Sequence, residues 1–135
     1  MTDRTIIVPP GMRTIHEDYG YAPAVRVGNM LYCAGQVGRT PDLQVIAEPT
    51  LQFEACWANL GMVLAAAGCG FEDVVELVTY HVDLPLHFDA FKAVKNRVFP
   101  RGHATWTAIG VSALARPGLL VEIKATALVP EGARP

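Results

Sequence analysis

Leu119-Leu-Val-Glu-Ile-Lys-Ala-Thr-Ala-Leu-Val129 decides how this chain folds. Side chains of a strand point alternately to opposite faces, so Val121, Ile123, Ala125, Ala127 and Val129 form one apolar row, while Glu122, Lys124 and Thr126 fall on the other. The second row also takes in Leu120 and Leu128, which makes it half apolar. A sheet built on this strand has one face for its own helices. Its other face is too apolar to stay wet on a small domain, and burial against another subunit is expected.

Working outward, residues 103–112 read as the preceding strand, and Ala115-Arg-Pro-Gly118 joins the two as a turn or loop. The polar, Pro/Gly-containing residues 130–135 are expected to fray. Upstream, Phe88, Phe91, Val94 and Val98 recur at helical spacing until Pro100 ends the helix, and the β-branched residues 74–83 read as a central strand. From Pro49, the residues Phe53, Trp57, Leu60, Leu64 and Ala67 mark an amphipathic helix, with Pro49 in its first turn and Gly68 as its C-cap. Residues 38–48 show little periodicity and suggest an exposed loop. Two β-rich runs on either side of Gly28-Asn29 form a hairpin, the two turn residues being suited to positive φ. Residues 4–8 give a short first strand, closed by Pro9-Pro10-Gly11, and residues 12–20 a loop. The order is strand, hairpin, helix, strand, helix, strand, strand. It predicts an α+β domain with a single sheet and both helices on one face.

The chain has 135 residues, 51% of them hydrophobic, enough for one domain with a core that needs no metal or disulfide. Its formal net charge of -2 and the absence of a Lys/Arg cluster argue against nucleic acid as a partner. No segment is long and apolar enough to span a membrane, and the N-terminal residues lack the apolar region of a secretory signal. Cys33, Cys56 and Cys69 are scattered in apolar surroundings without zinc-ligand spacing, so they read as buried small hydrophobes in a reducing cytoplasm. No metal site and no cofactor are indicated. Gly35-Gln36-Val37-Gly38 lacks a phosphate-loop or dinucleotide pattern.

Glu122 stands mid-strand between Val121 and Ile123, where a buried carboxylate must be paired or protonated. Two roles fit: a general acid/base that handles a water, or a salt bridge at a subunit rim. Trp106, between Thr105 and Thr107, either stacks on a planar ligand or packs. Tyr21 lies in a loop before a strand, where its phenol either closes over a pocket or covers the sheet end. His81 and His103 lack a Ser or Cys nucleophile nearby and read as structural, and His16 and His87 as surface residues.

Several segments together resemble the Rid superfamily, also called the YjgF or endoribonuclease L-PSP family. They are Tyr21 with Ala24-Val-Arg-Val-Gly-Asn, Leu31-Tyr-Cys-Ala-Gly-Gln-Val, Asn59-Leu with Ala65-Ala-Ala-Gly, Asp73-Val-Val, Tyr80 with Asp83, and Val121-Glu-Ile-Lys-Ala. The resemblance implies a chorismate-mutase-like α+β fold, a homotrimer with a barrel-like centre, and small-molecule clefts between subunits. In the RidA branch those clefts hydrolyse enamines and imines, such as 2-aminoacrylate, using an arginine that clamps the substrate carboxylate. The same alignment puts Trp106 at that arginine, Ala108 beside it, Ala34 at the serine of Ser-Gly-Gln and Lys92 at a helix asparagine. Tyr21 and Glu122 match. The Trp-Thr-Ala-Ile-Gly-Val run looks most similar to the YjgH-like branch. The site expected is thus Glu122 as catalytic acid/base with Tyr21, Trp106, Thr107 and Lys92 around a small ligand. The leading reading is a cleft that does not clamp a carboxylate in the RidA manner. The alternative is an imine deaminase whose cation is another residue, Lys92, Arg97 or Arg101. A ribonuclease and a purely structural trimer are the remaining readings.

Overall fold

A computed structural model describes residues 3–132. Of the expected frayed tail, residues 133–135 lie outside the described residues. Strands β1 (Arg4–Ile7), β2 (Ala24–Val27), β3 (Met30–Cys33), β4 (Gln36–Val37), β5 (Val74–Val82), β6 (Thr105–Val111) and β7 (Val121–Leu128) form one sheet in the order β1-β2-β3-β7-β5-β6, with the short β4 pairing to β7 beside β3. Only β5 and β6 run parallel. Parallel neighbours need a crossover, and α3 (Leu84–Val98) supplies it. The mixed α+β sheet expected from the pattern is therefore present.

β7 has the alternation read from its sequence, with Val121, Ile123, Ala125 and Ala127 wholly buried. They pack beneath α2 (Pro49–Ala66) and α3, whose Phe53, Trp57, Leu60, Leu64, Phe91 and Val94 complete the core. Both helices lie on that one face. α2 starts with Pro49, its N-cap Glu48 accepting a hydrogen bond from the Leu51 N–H at 2.7 Å. It stops at Gly68, whose φ of +77° allows the Gly68 and Cys69 N–H groups to bond back to the Ala65 and Leu64 carbonyls at 3.0 and 2.9 Å. That is a Schellman cap.

The structure corrects four local expectations. Residues 12–20 are not all loop, because Met12 and Ile15 are buried and anchor a short helix, α1 (Arg13–Glu17). The crossover helix starts at Leu84, one turn before Phe88, so His87 falls in its first turn, where it stays partly exposed with its ring edge-on to Phe53. In the β2–β3 turn only Gly28 has positive φ, the pattern of a type II′ turn. Residues 38–48 form an irregular hairpin, held by Ile46 N–H to Gly38 C=O and Thr40 N–H to Gln44 C=O, with Leu43 tucked against the core. Its buried positions follow no period, so no pattern revealed them.

The buried amide of Gln52 ties this hairpin and the β6–β7 connection to α2. Its Nε2 donates to the Ile46 and Gly118 carbonyls at 2.8 and 3.0 Å, and its Oε1 accepts from the Leu120 N–H at 2.6 Å. Gly38 admits this approach, since a Cβ there would collide with the Gln52 backbone. Gln52→Leu would keep the volume and leave three part-buried backbone groups without their partner. Urea unfolding should show a loss of about 2–4 kcal/mol. An unchanged midpoint would mean that the amide holds nothing together.

Candidate active site

The one-residue offset between the β3 and β4 registers against β7 marks a bulge at Ala34–Gly35: Tyr32 pairs with Thr126, whereas Val37 pairs with Glu122. An extra residue resets the alternation, so Gly35 and Val37 both meet the Glu122 side of the sheet. A Cβ on Gly35 would overlap the Glu122 carboxylate, and glycine leaves the room that this carboxylate fills. β4 ends at Val37, and the chain turns tightly at Gly38, the Arg39 N–H donating to the Val37 carbonyl at 3.2 Å, which brings Arg39 to the cavity that Glu122 lines.

Around this point opens a cavity of about 390 Å³, lined by Tyr19, Tyr21, Arg39, Arg116 and Glu122 among others. Glu122 is half-buried, and burial raises its pKa above the usual carboxylate range while the positive charges of Arg39 and, less so, Lys124 oppose the rise. A carboxylate so placed exchanges protons nearer neutrality than a free one. Tyr21, 39% exposed, stands at the cavity from the loop before β2. Gln52 fixes the opposite wall by holding Gly118, two residues after Arg116.

Trp106 lies elsewhere. Its register partner Leu77 is on the core side, and the indole stacks parallel to Phe88 with centroids 5.7 Å apart. Its Nε1 donates to Thr79 Oγ1 at 2.9 Å, and Lys95 Nζ sits 4.6 Å above the ring. Thr79 Oγ1 also shares a 2.7 Å hydrogen bond with His81 Nε2, so the hydroxyl links the indole to the buried imidazole. Burial pushes the His81 pKa down to about 4, so the ring stays neutral. The histidine is structural in this setting.

Thr107 shares the face of Glu122 but lies two strands away, in the row of Val78 and Lys124. Lys92 is exposed on α3, and the lysine that reaches Trp106 is Lys95, one turn further along. Tyr21 and Glu122 therefore converge on one cavity within the chain, while Trp106, Thr107 and Lys92 do not line it. The other suggested cations do not line it either: Arg97 pairs with Glu54 at 2.9 Å, and Arg101 is exposed in the turn after α3. Sequence reasoning missed Arg39, Arg116 and Gln52. No periodic signal marked Arg39, because the chain turns at Gly38 just before it. Gln52 was legible as the one polar member of the stripe Gln52, Cys56, Leu60, Val63.

Cys33, Cys56 and Cys69 are buried and unpaired, and burial drives the Cys33 thiol up to about 12, which makes it inert. Among the described residues, no three His, Cys, Asp or Glu side chains are grouped to hold a metal ion, and no helix is long and apolar enough to cross a membrane.

The family model described as Endoribonuclease L-PSP matches residues 13–129. The chain is 36% identical to the RutC family protein YjgH of Escherichia coli (strain K12), over 97% of this chain and 99% of that one. It is 31% identical to a Homo sapiens protein named 2-iminobutanoate/2-iminopropanoate deaminase, over 80% and 79% of the two chains. The solved structure of YjgH superposes with a TM-score of 0.87, covering 95% of this chain and 98% of that one. With the match over residues 13–129, the Tyr21–Glu122 cavity and this agreement of fold, the chain belongs to the endoribonuclease L-PSP family, the RidA/YjgF superfamily.

Proposed function

We propose that this protein is a homotrimer that hydrolyses small 2-imino acids, with their enamine tautomers, to 2-oxo acids and ammonia at the Glu122 cavity. The observation that carries the reading is the half-buried Glu122 carboxylate facing a 390 Å³ cavity beside Tyr21 and two arginines. Relatives named as 2-iminobutanoate/2-iminopropanoate deaminases favour this reading over a cleft built around Trp106, whose indole is engaged by Phe88, Thr79 and Lys95.

The trimer is supported by the composition of the open sheet face. Ile6, Tyr32, Ile109 and Leu128 are each between 39% and 52% exposed there, alongside half-buried Val78 and Tyr80. Such a face is stable when a second copy covers it. Subunit contact would also wall the cavity from water.

In the reaction, the Glu122 carboxylate takes a proton from water as the water oxygen bonds to C2 of the imine and the C=N π pair moves to nitrogen, and it passes that proton to the nitrogen to give a neutral carbinolamine. The carbinolamine then collapses: Glu122 takes the hydroxyl proton as C2=O forms, the C–N bond breaks, and this second proton goes to the nitrogen, which leaves as ammonia and returns Glu122 to its ionised form. Tyr21 limits access of bulk water. Because the carboxylate must start ionised, kcat/KM should fall on acidification through a midpoint above that of an ordinary glutamate. With 2-iminobutanoate generated in situ, Glu122→Gln should lower the enzyme-dependent rate by about 10²- to 10⁴-fold. Gly35→Ala, which pushes the carboxylate out of place without touching the core, should lower it too while leaving thermal unfolding nearly unchanged. A wild-type rate equal to spontaneous hydrolysis would sink the reading.

A further inference from the structure

We propose that Arg39 is the carboxylate receptor of this site, so that the substrate is anchored from the loop after β4 and not from β6. The inference rests on reading the cavity as a 2-imino acid site.

Four observations lead to it. First, Arg39 lines the same cavity as Glu122. Second, its backbone is fixed. Asn59 of α2 donates from Nδ2 to the Val37 and Arg39 carbonyls at 2.8 and 3.1 Å, and Arg39 forms a bridge with Val45 across the hairpin. Third, among the described residues its guanidinium has no hydrogen-bond partner and no ion pair, although it is only partly exposed. Five donors held at a cavity wall with nothing to bind form a ready anion receptor, and a planar guanidinium matches a carboxylate through two parallel bonds. Fourth, its positive charge opposes the rise of the Glu122 pKa, and the two residues line one cavity of about 390 Å³.

Position 106 leaves the role open. Trp106 is neutral, faces the core and is held by its own neighbours. Arg116 also lines the cavity, yet it is exposed on the β6–β7 connection, where solvent and salt screen its charge. Arg39 is better shielded and better fixed. A 2-imino acid lying with its carboxylate on Arg39 presents the adjacent C2 toward Glu122, which gives the cavity a preference for short 2-imino acids over neutral imines.

The 2-oxo acid product is stable, so binding can be read without turnover. Calorimetric titration of the whole protein with 2-oxobutanoate should show saturable binding, weakened by about 10- to 100-fold in Arg39→Gln and less in Arg39→Lys. Glu122→Gln should bind as well as wild type or better, because a neighbouring negative charge is removed. Methyl 2-oxobutanoate, which lacks the anion, should bind wild type and Arg39→Gln alike. Circular dichroism melting checks that both Arg39 variants are folded, and Arg39→Lys supplies a second test if the glutamine variant is not. Equal binding of the keto acid by wild type and a folded Arg39 variant overturns the proposal, as does no binding to wild type. The two readings fail separately. Arg39-dependent binding without imine hydrolysis removes the deaminase and keeps the receptor, whereas hydrolysis with Arg39-independent binding does the reverse.

Discussion

Three hydrogen bonds from one buried side chain, the amide of Gln52, connect the long helix to both segments that overhang the sheet. Neither segment has a ladder of its own strong enough to hold it there. The hairpin of residues 38–46 has a few backbone bonds, and the 112–120 connection contains Pro117 and Gly118. Burying an amide is unfavourable unless each polar atom is satisfied, and here the partners are the backbone groups that set where Arg39 and Arg116 stand. The core thus determines the shape of a cavity whose walls are loops.

The cavity depends equally on a break in regularity. Without the bulge at Ala34–Gly35, β3 and β4 would run as one strand with unbroken alternation, and Val37 would stand opposite Val121 on the core side instead of opposite Glu122. With it, Gly35 gives the Glu122 carboxylate its space and Arg39 gives it a positive neighbour. Burial and charge act on Glu122 in opposite senses, and burial prevails. The outcome is an acid/base group beside an anion receptor, a pairing suited to hydrolysis next to a carboxylate.

Much of this frame is legible in the sequence. The alternation of residues 119–129 identified the covered face, the 3- and 4-residue steps from Pro49 identified α2, and Gly68 marked its end. Glu122 stood out because a carboxylate between Val121 and Ile123 contradicts its surroundings. Tyr21 and Glu122 also followed from the resemblance to the Rid superfamily. What stayed hidden depends on tertiary geometry. A bulge shifts the phase of a strand without leaving a periodic trace, and the turn at Gly38 made Arg39 read as a loop residue. Which side of β6 carried Trp106 was set by the parallel pairing with β5, and in the structure the indole joins Phe88, Thr79 and Lys95. α1 was too short to show a period.

The account stands or falls on a protonatable Glu122 whose affinity for its proton is coupled to an anion bound next to it. A ¹³C NMR titration of the Glu122 side-chain carboxyl carbon, with and without saturating 2-oxobutanoate, observes both properties at one atom. The account expects a midpoint above that of an ordinary glutamate, moving higher when the keto acid binds because the ligand carboxylate cancels the pull of Arg39. A midpoint in the ordinary range that ignores the keto acid would contradict it.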